Sequence, residues 1–319
     1  MYMHRIVLFM MGALLVLGAS AVADRRDPAY RRAVTHGAKA QICVKIVDDD
    51  GKPVPHVSVM AVIAMLFSEY QQRGQTDTNG CFVVEGKTTG NYIELWAEKE
   101  GYYKSKKKLI LVGPEHAHEV KDGKWQPYGA EEKIVLRPRG LPPLLPRIGK
   151  EMYVPVTNQW VGIDLLVGDW VNPWGKGNVA DFELNVQWDG LPPWKSRYCK
   201  TDMRFRERDA GGYLVSNVLE SSFKYSYCAN TNASYRQTFE WWDRGGGDPN
   251  ARDFRRSHHM VIRSRCCHSK SGELISANYG SVACLDVGPS REGKPFMFIG
   301  YSFNTIPNRL RIEPVGLKD

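Results

Sequence analysis

The sequence has 319 residues, 24% of them charged, with a formal net charge of +8 and 7 cysteines. That length suits two domains, and acidic residues are interleaved with the basic ones throughout, which argues against a nucleic-acid partner. After Leu17 no run is apolar for long enough to span a bilayer, which argues against an integral membrane segment in the mature chain.

In chain order, Arg5 precedes an apolar stretch from Ile6 to Leu17, and Ala21-Val22-Ala23 supplies the small-x-small pattern of a signal-peptidase site. Residues 1–23 are read as a signal peptide, so the mature chain is expected in the periplasm, on the cell surface or outside the cell. Residues 24–40 are polar with little periodicity and are expected to be a flexible leader. From Gln41 the pattern changes to short strands. ICVKIV alternates, DDDGKPVP turns, and VSVMAVIAMLF is apolar on both faces, as a buried strand would be. TDTNG turns again, with Asn79-Gly80 suited to positive φ. CFVVEG, YIELWAEK, KKLILVG and EKIVLRP follow. Residues 113–130 read as a long polar loop. The proline-rich run 139–151 cannot continue a central strand and is read as a linker. From 152 to 319 the strand signals resume: YVPVTN, VGIDLLV, ADFELNVQW, YLVSNVLE, ASYRQTFEWW, HHMVIRSRC, LISANYGSV, PFMFIGYSF and RLRIEP. The expected class is all-β, with turns spaced as in a β-sandwich.

VKIVDDDGKPVPHVSVMAV, TDTNGCF, GNYIELWAEKEGY and EKIVLRP, in that order, resemble the carboxypeptidase regulatory-like domain. The resemblance spans about residues 42–138 and implies a transthyretin-like Greek-key sandwich over 41–138, of a kind that is usually a non-catalytic module. GIDLLVGDWVNPWGKGNVADF, SANYGSV and FNTIPNRLRIEP resemble a segment that accompanies such a sandwich in exported bacterial proteins. It implies architecture and export, and no reaction.

Several stretches carry candidate chemistry. Seven of the nine tryptophans fall between Trp160 and Trp242. Aromatic faces stack on sugar rings, yet sandwiches also bury tryptophan in their cores. The loop GDWVNPWGKG holds Asp169, Trp170, Trp174 and Lys176 on a Gly/Pro frame and is the preferred ligand-binding candidate, with a structural plug as its alternative. Trp242, adjacent to Trp241 in an expected strand, is a further candidate. A cell-envelope polysaccharide or protein is the expected partner. HHMVIRSRCCH (258–268) crowds His and Cys, but His258 and Cys266 lie eight residues apart, about 26 Å along a strand, too far to share one ion. No metal site is therefore expected there. A disulfide from Cys266 or Cys267 to Cys284 is expected instead, beside Cys43–Cys81 and Cys199–Cys228 pairings that leave one thiol over. Asp169, Asp181, Glu183, Asp189, Glu240 and Asp243 could serve a polysaccharide-acting hydrolase, but their spacing selects no pair. GxSxG, HExxH and P-loop motifs are missing, so no catalytic residue and no cofactor is assigned.

Overall fold

The structure, a computed structural model, describes residues 27–112, 119–140, 145–191, 199–244, 258–289 and 294–314, side chains of 242–244 and 289 apart. The export signal expected over 1–23 lies outside them. Among the described residues the chain is all-β apart from one helix, and no helix is long and apolar enough to cross a membrane.

That helix, α1 (Pro28–His36), corrects the flexible leader. Asp27 caps it by accepting the Ala29 N–H at 2.8 Å, Pro28 presets the first turn, and Gly37 closes it at φ 81°. Tyr30, Ala33 and Val34 form an i, i+3, i+4 apolar stripe that packs on the core, with the Tyr30 ring edge-on to Trp125 at 5.8 Å.

The first half builds two facing sheets. One carries β1 (Ala38–Val47), β4 (Cys81–Thr88), β7 (Val120–Lys121), β8 (Lys124–Trp125) and β9 (Ala130–Val135), in the order β4-β1-β8-β7 with β9 also on β1. The other has β2 (Ser58–Ala64), β3 (Glu69–Gln75), β5 (Ile93–Glu98) and β6 (Ser105–Leu109), in the order β3-β2-β5-β6. Alternation on β1 sends Ala40, Ile42, Val44 and Ile46 inward, where they meet Val59, Ala61, Ile63 and Leu95 of the second sheet. Each buried Val, Ile or Leu among them contributes about 1.5–3 kcal/mol.

Two expectations fail here. VSVMAVIAMLF is not strand throughout: Met65 donates its N–H to the Ser68 carbonyl at 2.7 Å, turning the chain back into β3 and leaving Leu66 and Phe67 in solvent. The polar EYQQRGQ hides that partner strand because it is an edge strand with little buried surface. Within the expected loop 113–130, β7 and β8 form a short hairpin because Trp125 needs a core. It is 2% exposed and donates its Nε1–H to the Thr88 carbonyl at 2.9 Å.

The second half is another sandwich. One sheet comprises β10 (Ile148–Tyr153), β15 (Gly211–Ser216), β17 (His258–His268), β18 (Leu274–Pro289) and β19 (Pro295–Phe303), ordered β10-β19-β18-β17-β15. The other comprises β11 (Trp160–Asp164), β12 (Asp169–Trp170), β13 (Phe182–Trp188), β14 (Cys199–Arg204) and β16 (Thr238–Arg244), ordered β12-β11-β13-β14-β16. β10 begins within the expected linker and runs two residues past it; its residues follow the last proline of that run and pair with β19. Sheet β10-β19-β18-β17-β15 is covered on both faces. Met260 and Ile262 join the inter-sheet core, while Val261 packs behind with Ala277, Tyr279 and Ile312. This two-sided burial explains the unbroken apolar run after His259.

The two sandwiches meet through a dense polar and aromatic joint. Arg137, 6% exposed, lies between the Phe223 and Tyr227 rings, its guanidinium carbon 4.6 and 4.5 Å from their centroids. It donates to the Phe223 and Tyr225 carbonyls at 2.9 and 2.6 Å and to Asp49 at 2.9 Å. Glu313, fully buried, accepts from the Tyr103 hydroxyl at 2.7 Å, Gly140 N–H at 2.9 Å and Arg311 at 2.7 Å. Residues 220–222 extend the open side of β6: Lys106 N–H donates to the Glu220 carbonyl, and Ser222 N–H to the Lys104 carbonyl.

Candidate functional site: the tryptophan loop and its acidic anchor

The segment between β11 and β13 must cross the end of the second sandwich, and its backbone N–H groups need acceptors there. Two aspartates supply most of them. Asp164 Oδ1 accepts from Leu166 and Val167 N–H at 3.1 and 3.2 Å, and Oδ2 from Asn178 and Val179 N–H at 3.0 and 3.1 Å. Asp169 Oδ1 accepts from Trp170 N–H at 2.9 Å and Oδ2 from Lys176 N–H at 3.0 Å. Glycine is required at 177, where a Cβ would stand 2.6 Å from Asp164 Cβ, and at 175, where it would meet the Trp170 carbonyl at 2.4 Å.

The anchor reaches across to the opposite sheet. Asp181 accepts from Leu165 N–H at 2.7 Å, Ser264 Oγ at 2.7 Å, and Arg265 Nε and Nη2 at 2.9 and 3.0 Å. Arg265 Nη2 also donates to Asp164 at 2.7 Å. In a regular strand Ser264 and Arg265 would face opposite ways. They converge because the β17–β18 register slips between Ser264 and Cys267, and Arg265 takes φ 52°. This bulge re-aims the guanidinium at the carboxylate pair, at a backbone cost of about 1–3 kcal/mol. Burial works to raise the Asp164 pKa, but the Asn178, Val179 and Val167 N–H groups and Arg265 outweigh it, so that carboxyl sits below its ordinary range. At Asp181 burial prevails over Arg265, and the shift is upward.

The two loop tryptophans have opposite fates. Trp170 is 4% exposed, sits in the inter-sheet core and donates Nε1–H to the Tyr153 carbonyl at 3.0 Å; it is the plug. Trp174 is 47% exposed, on the tip that carries an Asn172–Pro173 cis peptide. Leu166, Val167 and Val179, from the stretches that Asp164 ties down, are exposed too. Lys176 is in solvent. The Trp242 candidate falls on a side chain outside the described residues, although its backbone pairs with Lys200 on β14. The other tryptophans whose side chains are described in the second half are engaged. Trp241 is buried, Trp160 is covered by the Arg204 guanidinium at 4.0 Å, and Trp188 donates Nε1–H to the Leu191 carbonyl.

The described candidate carboxylates of the second half each hold something else. Glu183 pairs with Arg204 at 2.6 Å and Arg206 at 3.3 Å. Glu240 pairs with Lys200 at 2.9 Å, and Asp189 caps the Leu191 N–H. Asp243 lies outside the described side chains.

HHMVIRSRCCH is strand β17. His259 is buried, accepts the Ser226 N–H on Nε2 at 3.0 Å and lies 2.9 Å from Asn217 Oδ1 through Nδ1, which fixes a neutral ring with its proton on Nδ1. His268 Nε2 meets Asp209 at 2.8 Å. The expected bridge from Cys266 or Cys267 to Cys284 is not compatible with this fold. The Ser269–Glu273 turn is where the sequence placed it, but residues equidistant from a turn pair, so Cys267 opposes Ser276. Cys284 is eight residues farther along, about 26 Å away. All seven cysteines are free thiols in the structure. Cys199 is in the core and Cys228 is exposed at a bridge to Arg311. Cys43 and Cys81 do come together as diagonal neighbours on the outer face of β1 and β4, Cys43 opposite Val83 and Cys81 opposite Lys45. Burial, then the neighbouring Cys81 thiol, raises the Cys43 pKa.

No protein-family model and no curated protein matches the chain. Among solved structures it is similar to 3-chlorocatechol 1,2-dioxygenase from Rhodococcus opacus 1CP, at 17% identity over 32% of this chain and 61% of that one, with a TM-score of 0.25. The chain thus spans about three-fifths of that enzyme's length. It is also similar to a DUF3823 family protein from Parabacteroides merdae ATCC 43184, at 7% identity over 87% of this chain and 100% of that one, with a TM-score of 0.22. A third is BcpA, the major pilin subunit of Bacillus cereus, at 10% identity over 86% and 69%, with a TM-score of 0.22.

Proposed function

We propose that this chain is an exported, non-catalytic binding module of the cell envelope, and that its ligand surface is the loop tip around Trp174. In this reading the first sandwich is of the carboxypeptidase regulatory-like kind and serves as a spacer locked to the second. The observation that carries the proposal is the division of labour within one loop. Trp170 and the Asp164–Asp181–Arg265 anchor hold the backbone fixed, while the Trp174 ring stands in solvent. A preset aromatic platform binds a sugar ring or an apolar side chain without an ordering cost. The described candidate carboxylates support binding over hydrolysis because they are engaged in structural bonds.

The test is titration of the purified protein against a panel of envelope polysaccharide fragments, with Trp174→Ala beside it. Saturable binding to one class of glycan, weakened about tenfold or more in the variant, is the expected result. Binding that Trp174→Ala leaves unchanged would remove the loop from the account.

A further inference from the structure

The opposite feature of the first sandwich is an apolar tip beside a row of cations. The β2–β3 turn holds Leu66 and Phe67 out of the fold, Phe67 at 94% exposure. Its base touches β4: a Cβ placed on Gly37 would meet Met65 Cε and Lys87 Cγ, each at 3.1 Å, and the Tyr70 hydroxyl donates to the Lys87 carbonyl at 3.0 Å. Lys87 pairs across β4–β1 with Lys39, Lys39 across β1–β8 with Lys124, and Lys124 across β8–β7 with Lys121. Directly opposed residues share a face, so four exposed lysines lie in one line across four strands, about 14 Å long at the usual strand spacing. Like charges opposed in this way repel, so the row exists at a cost to the fold. Among the described residues no carboxylate forms an ion pair with any of the four. Acids flank the row without pairing to it: Glu85, two positions before Lys87 on β4, accepts from Gln41 and Tyr128, exposed Glu119 lies two positions before Lys121, and Asp122 sits in the β7–β8 turn. Lys124 Nζ stands 4.6 Å over the Tyr128 ring.

We propose that this end of the first sandwich docks on an anionic lipid bilayer, with Leu66 and Phe67 entering the headgroup boundary and the lysine row facing lipid phosphates. A soluble polyanion would engage the lysines and leave Phe67 in water. A bilayer meets both features at once. This surface is separate from the Trp174 loop, and its failure leaves the loop proposal standing.

Co-sedimentation of the full mature chain with vesicles tests it, using pure phosphatidylcholine and an equal mixture with phosphatidylglycerol. The expected result is binding to the mixed vesicles only, weakened by salt. Phe67→Ser should weaken it about tenfold or more, and each of Lys39→Gln and Lys87→Gln about fivefold. All three positions are exposed, and far-UV circular dichroism should show the variants folded. Absence of binding to mixed vesicles overturns the proposal. So does binding that Phe67→Ser leaves intact while dextran sulfate displaces it, since that would make the row a polyanion site.

Discussion

His259 shows how one buried side chain makes the fold sensitive to pH. Burial, then the positive charges of Arg137 and His258, lowers its pKa from 6.5 to about 4. The unfolded chain therefore binds a proton between those values that the folded chain refuses. Stability is full above pH 6.5 and should fall by about 1.4 kcal/mol per pH unit down to about pH 4. Urea unfolding at pH 7 and pH 4.5 reads the difference, and His259→Gln should flatten it. Arg137 carries a second expectation at this scale. Arg137→Met removes the donor for two buried carbonyls and the cation between two rings, and should cost about 3–5 kcal/mol in denaturant unfolding. Little of this was legible. Nothing in the sequence distinguishes Arg137 from the other arginines, because its partners come from residues more than eighty positions away. Trp170 and Trp174 were named together, and the sequence offered both a platform and a plug; only burial assigns one role to each.

Among the elements, the strands were read well wherever a strand has one dry face. β1 alternates cleanly, and the Asn79-Gly80 turn is a real one, with Gly80 at φ 73° and Asp77 accepting from Asn79 and Cys81 N–H. Elements that bury little, such as β3, or that follow a Pro-rich run, such as β10, escaped. The β17 bulge escaped as well, because a register slip leaves no compositional trace, and with it went the anchor that holds the tryptophan loop. Asp181→Asn should leave Arg265 half-paired and cost about 3 kcal/mol, read as a lower thermal midpoint. It should also weaken any ligand affinity that depends on Trp174. Register makes a sharper demand on the cysteines. Peptide mapping of protein oxidised under native conditions should find Cys43 joined to Cys81 and no peptide joining Cys266 or Cys267 to Cys284. A bridge of the latter kind would contradict the β17–β18 pairing.

For the whole molecule, the all-β class follows from strand length and turn spacing and the division into two from chain length and the proline-rich run, while the relation between the sandwiches does not. The proline-rich segment reads as an extended linker at a domain boundary. The structure instead shows Arg137, Glu313 and the 220–222 extension of β6 binding the halves through buried charges, ring stacking and backbone pairing. Such a joint presents the Trp174 loop from a fixed frame, which is what a binding module requires if affinity depends on a preset surface. The central claim is that this loop binds without reaction. The most direct measurement incubates the purified protein with an envelope polysaccharide fragment that it binds, and follows affinity and chain length of the fragment together, with and without Trp174→Ala. The account predicts a saturable complex, weakened about tenfold or more by the substitution, with every fragment recovered at its original length. Shortened fragments, or affinity indifferent to Trp174, would contradict it.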